Sequence, residues 1–204
     1  MALSKIQAES MNLADTYAFT GTVSGTNSGL VPITRAASAT DTAYVTFQDL
    51  SNDYDTFIFY FAAVHPTSDN VQFRGNFLDT SNNPINGSSD YGGEAIMHTG
   101  TQLGANAQNH FKMTNATVGN SNYEGVTGQL TLVNRKYTST SISPPPQVIG
   151  HISYLDGSNN QNGVNFAGGL DNSAQQSING IRFFFSSGNV DYYDIHMYGV
   201  VRPS

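Results

Sequence analysis

The five histidines stand at positions 65, 98, 110, 151 and 196, and none has the H-x-H or H-E-x-x-H spacing that sets two imidazoles on one metal ion. A zinc site would have to be assembled wholly by the fold. Each histidine therefore reads first as an ordinary hydrogen-bonded residue, with His196, between Ile195 and Met197, suited to a cross-strand pair. The chain has no cysteine, which excludes a disulfide framework, a thiolate metal site and a thiol nucleophile. Oxygen-rich loops are better places for a hard cation such as calcium. Asp49, Asp53 and Asp55 form one such stretch, Asp79 stands with Ser81 and Asn83, and Asp156 stands with Ser158 and Asn160. Neither of the last two loops carries the glutamate that completes an EF-hand, and Asx-rich turns hydrogen-bond their own backbone without a metal. Asp79 and Asp156 are the calcium candidates, set against an expectation of no cofactor.

Catalytic constellations are harder to find. Glycoside hydrolysis needs two converging carboxylates, yet only Glu9, Glu94 and Glu124 join the aspartates, which sit nearly all in turn contexts, so no pair stands out. His65, Ser68 and Asp69 lie close in sequence, but such neighbours rarely point together, and His65-Pro-Thr-Ser-Asp69 reads as a turn. There is no G-x-S-x-G elbow and no glycine-rich phosphate loop. The expectation is that the chain is not an enzyme. Tyr91, Tyr123, Tyr137, Tyr192 and Tyr193 fall in or beside loops and could stack on sugars, although the absence of tryptophan and the frequency of tyrosine in cross-strand pairs argue the other way.

The elements that must position these groups are strands. Only 11% of the 204 residues are charged, and Asn, Ser, Thr and Gly carry the polarity, a composition that makes turns and sheet edges rather than solvated helices. A net charge of -7 without a Lys/Arg cluster excludes a phosphate-backbone binder. The amino terminus lacks the apolar core of a secretory signal, and no apolar run approaches the length of a membrane span, so neither secretion nor insertion is expected.

Residues 1–15 read as an arm with Ile6, Met11 and Leu13 on a rough stripe, and residues 16–204 as one all-β domain. Alternation predicts strands near 15–24, 44–50, 56–64, 71–78, 92–98, 109–113, 123–133, 148–155, 164–168, 178–185 and 192–201, with a loop over Ala36–Thr42. Strands 56–64 and 71–78 suit an antiparallel pair, and 178–185 with 192–201 suits a hairpin turned by Ser186-Ser-Gly-Asn189. Phe57, Phe59 and Phe61 share one face, while Ile58, Tyr60 and Ala62 make a second apolar face that something must cover. Phe184 similarly opposes Ile181, Phe183 and Phe185. The expected architecture is a single antiparallel β-sandwich, jelly-roll-like, with a short amino-terminal arm. The segments Leu78-Asp-Thr-Ser-Asn-Asn83 and Leu155-Asp-Gly-Ser-Asn-Asn160 echo each other, read as convergence on good turn residues rather than as a repeat.

Asn52-Asp-Tyr-Asp-Thr-Phe-Ile-Phe-Tyr-Phe61, Val64-His-Pro-Thr-Ser-Asp-Asn70, Phe77-Leu-Asp-Thr-Ser-Asn-Asn-Pro-Ile85 and Ser177-Ile-Asn-Gly-Ile-Arg-Phe-Phe-Phe-Ser-Ser-Gly-Asn189 leading to Met197-Tyr-Gly199 resemble the β-rich virion structural proteins of tailed bacteriophages, particularly aquatic ones. Leu3 to Gly21 is similar to the lead-in segments of phage fibre and other virion proteins. The resemblance covers most of the chain through strand and turn patterns, and it carries over no site residue. It implies a non-enzymatic component assembled in the host cytoplasm and displayed on the virion, either a capsid decoration (cement) protein or a part of the tail or fibre. It also implies other virion proteins as partners and a homo-oligomer, with a trimer favoured. No stalk or shaft repeat precedes the domain, which favours decoration or a compact knob. Ile6, Met11, Leu13, Tyr60 and Phe184 are the interface candidates. The alternative is a carbohydrate-binding receptor module of a tail fibre or knob, with a host glycan as partner; a glycan hydrolase ranks third.

Overall fold

The computed structural model describes residues 29–50, 53–97, 105–115, 117–134, 145–171 and 177–201. Twelve strands run through them: β1 Leu30–Ser38, β2 Val45–Phe47, β3 Tyr54–Pro66, β4 Phe73–Leu78, β5 Tyr91–Met97, β6 Ala105–Gln108, β7 Phe111–Lys112, β8 Gly125–Val133, β9 Gln147–Leu155, β10 Gln161–Leu170, β11 Gly180–Phe185 and β12 Val190–Val201. They form an antiparallel eight-stranded sheet, β1-β12-β3-β8-β9-β10-β5-β6, and an antiparallel four-stranded sheet, β2-β11-β4-β7. Strands β1, β12, β3 and β8 of the large sheet and the whole small sheet carry the jelly-roll order, with the chain crossing between sheets within that frame at β1–β2, β2–β3, β3–β4, β7–β8 and β11–β12. β9, β10, β5 and β6 extend the large sheet beyond that frame. The expected arm, with Ile6, Met11 and Leu13, and the strand expected over 15–24 lie outside the described residues.

Alternation explains the core. Phe57, Phe59 and Phe61 of β3 and Phe183 of β11 are wholly buried, and their rings meet edge to face: Phe59–Phe183 at 5.4 Å and Phe61–Phe183 at 5.0 Å between centroids. Phe47 of β2 packs on Phe59 at 5.2 Å, and Phe73 of β4 on Phe61 at 5.4 Å. Each such ring contributes about 1.5–3 kcal/mol by burial and about 0.5–1.5 kcal/mol more by its ring geometry. This cluster is what joins the two sheets.

Two expectations of pairing and one of a loop are corrected. β3 does not pair with β4: β3 lies between β12 and β8, and β4 lies between β11 and β7 in the other sheet. The closing stretch is likewise an arch rather than a hairpin, since β11 pairs β2 and β4 while β12 pairs β1 and β3. A single buried face suits either sheet of a sandwich, so alternation alone does not name the partner. The two arches brace each other, because Thr67 N–H donates to Asn189 O and Asn189 N–H donates to Thr67 Oγ1. Finally, Ala36–Ser38 belong to the edge strand β1 and not to a loop; their small side chains sit opposite Ile195, Asp194 and Tyr193 of β12.

Candidate functional site

The sheet's bulges build one groove. β3 keeps Phe57, Phe59 and Phe61 inward, but its register against β8 shifts between Phe61 and Val64, so that Val64 and Pro66 become the buried residues and His65 turns outward. β12 shifts against β3 between Val190 and Tyr192, which leaves Asp191 as the extra residue beside His65. From the other side β8 begins at Gly125, whose φ of +141° suits glycine and which brings the chain close to the Val64 carbonyl. The resulting open groove has a volume of about 440 Å³, within the range of small-ligand sites. Its lining includes His65, Asn122, Tyr123, Glu124, Asp191 and Tyr192.

Its polar groups are held by local bonds. The imidazole of His65 donates from Nε2 to the Ser121 carbonyl at 3.0 Å and turns Nδ1 toward Asp191 Oδ2 at 3.3 Å, a contact that is an ion pair only when the ring is charged. Glu124 is buried, and its Oε2 accepts the Ser121 N–H at 2.6 Å while Glu124 N–H donates to Ser121 O at 2.8 Å. The backbone bond closes the turn from Ser121 to Glu124, and the carboxylate bond is the glutamate half of an S-x-x-E capping box. Gly119 permits it, because any side chain there would run into the Glu124 carboxylate. The loop so fixed presents Tyr123, which is 67% exposed, across from Tyr192, which is 43% exposed. His65 Nε2 is engaged by a carbonyl rather than by a hydroxyl, so among the described residues the His65–Asp191 contact resembles only the orienting half of a triad. The arrangement offers hydrogen-bond acceptors and ring faces to a ligand.

Of the residues singled out from sequence, Tyr123, Tyr192 and His65 converge here, although His65 was read as part of a turn with Ser68 and Asp69. Asp69 instead accepts from Asn70 N–H and Nδ2. Asp191 and Glu124 had no distinguishing sequence signal beyond the Ser121-Asn-Tyr-Glu124 spacing. Tyr91 is corrected from a loop candidate to a core residue: fully buried, its hydroxyl accepts Phe77 N–H at 2.8 Å and donates to Ile85 O at 2.9 Å, and burial raises its pKa. Tyr193 packs against the core, and Tyr137 and His98 lie outside the described residues.

The calcium candidates have the same role in two loops. Asp79 Oδ1 accepts Ser81 N–H and Asn83 N–H at 2.8 and 2.9 Å, and Asp156 Oδ1 accepts Ser158 N–H and Asn160 N–H at 2.9 Å each. Asn82 and Asn159 take the left-handed conformation at φ 62° and 63°. Both carboxyls are held below the ordinary carboxylate range, first by the Asn83 and Asn160 backbone donors respectively. The two loops thus spend their aspartates on their own backbone. Among the described residues no group of three or more His, Asp or Glu side chains is placed to hold a metal ion.

The interface candidates fall on two outer faces. Tyr60 is 51% exposed on the large sheet, on a face it shares with Ile58, His196, Tyr198, Ile149 and His151. His196 does pair across strands, 6.4 Å from the Tyr60 ring and stacked at 6.5 Å on Tyr198. Phe184 is half-buried on the small sheet beside Tyr44 at 5.6 Å, and the Arg182 guanidinium lies 4.1 Å over the Tyr44 ring. No family model matches the chain, and neither does any curated protein or solved structure.

Proposed function

We propose that this chain is a non-enzymatic virion structural protein of a tailed bacteriophage, a rigid jelly-roll module held on the particle surface by association with other virion proteins. The observation that carries the reading is the outer face of the large sheet. Tyr60 and Ile149 are each more than half exposed there, Ile58 and Tyr198 lie in the same band, and His196, Gln129 and His151 give it polar anchors. Aromatic and aliphatic residues interleaved with hydrogen-bonding groups suit protein association. Many copies on one particle make modest contacts sufficient. The segments resembling phage virion proteins supply the class of partner.

The test is reconstitution on particles stripped of this protein. Tyr60→Glu with Ile149→Asp should keep the wild-type Tm and lose particle occupancy. Wild-type occupancy by that variant, or absence of the wild-type chain from intact particles, would overturn the reading.

The groove supports a second reading, a carbohydrate-binding receptor module. It pairs exposed tyrosine faces with carboxylate and imidazole acceptors, and His65 Nε2 is engaged by the Ser121 carbonyl. Glycan-array binding that depends on Tyr123 and Tyr192 is the measurement that favours it.

A further inference from the structure

The lining of the groove also bears on which sugars would enter. Its described residues include Asp191 and Glu124 with His65, and none of them is a lysine or an arginine. We propose that this groove takes saccharides without acid groups, neutral or amine-bearing, and rejects uronic and other acidic sugars; this rests on the carbohydrate reading above.

Five observations support it. The Asp191 side chain is 48% exposed, so it can accept a sugar hydroxyl or pair with an ammonium group, both charge-assisted bonds. An incoming carboxylate would instead meet like charge, with no cationic fork among the described lining residues to receive it. Glu124 cannot swing away to relieve that repulsion, because Ser121 N–H and the wall at Gly119 fix it. Meanwhile the half-buried Arg74 and Arg182 lie on β4 and β11 of the small sheet, and the chain's net charge of -7 repels anions at longer range. Tyr123 and Tyr192 supply the apolar ring faces on which a pyranose packs.

The experiment is a glycan array that carries neutral, amine-bearing and acidic glycans, probed with the full chain and followed by calorimetry on the glycans retained. The expected result is retention of neutral or amine-bearing glycans only, with roughly tenfold or greater loss of affinity in Tyr123→Ala and Tyr192→Ala at unchanged Tm. Asp191→Asn should weaken amine-bearing glycans most. Acidic glycans binding as tightly as neutral ones through the same tyrosines would overturn the specificity and leave the carbohydrate reading standing. Binding of no glycan, or binding indifferent to both tyrosine variants, would overturn that reading and the specificity with it.

Discussion

The ring of Phe183 stands edge-on to that of Phe61, with centroids 5.0 Å apart and planes at 89°, and so ties the middle of the small sheet to the middle of the large one. Phe183 also touches Phe47, Phe59 and Phe73. Phe183→Ala should cost about 3–5 kcal/mol, the range for a large cavity in a packed core. Phe184→Ala, on the half-buried side of the same strand, should cost less than half of that. Urea midpoints of the two variants check the contrast.

Gly75 of β4 faces Phe111 of β7 so closely that a methyl group would overlap the tip of the ring. Gly75→Ala should destabilise by about 3 kcal/mol, at the upper end for overpacking. Adding Phe111→Leu should recover part of the loss, a coupling that a double-mutant cycle in urea will show.

The loop aspartates give a prediction with a sign in pH. Their carboxyl pKa values are depressed in the folded chain, so their contribution is present above the unfolded value of 3.8 and lost as pH falls through the lower folded value. Asp79→Ala with Asp156→Ala should lower Tm at neutral pH, and the gap to wild type should close at strongly acidic pH. Because each Oδ1 is already engaged by two backbone donors, adding calcium or a chelator should leave the Tm of the wild type unchanged.

His110 runs the same way in pH, over a higher window. It is 7% exposed, its Nδ1 contacts Asn109 Oδ1 and its Nε2 has no partner. Burial first, then the charges of Arg74 and Lys112, push its pKa down to about 4 from 6.5. The unfolded chain therefore binds the proton first. Stability should be full above 6.5 and fall by about 3 kcal/mol as pH drops toward 4. His110→Gln should flatten that slope in urea titrations at stepped pH.

The class of fold was legible because its signals are local. Scarce charge, turn-forming polar residues and period-two alternation, as in Phe57, Phe59 and Phe61 or Ile181, Phe183 and Phe185, need no partner to be read. The echoed Asp79 and Asp156 turns were legible for the same reason, since an aspartate two and four residues before its backbone donors closes its own loop. Strand partners were not, because one apolar face fits either sheet: the stretch from Ile178 to Val201 announces two strands but not that an arch carries β12 across to β1 and β3. The groove lay further out of reach. His65, Glu124 and Asp191 are far apart along the chain; the bulges at 61–64 and 190–192, set by pairing with neighbouring strands, bring His65 and Asp191 together, and the Ser121–Glu124 turn brings Glu124 into the same lining. Local periodicity fixes which residues are strand and which face is buried; long-range pairing and the bulges it imposes decide which side chains meet.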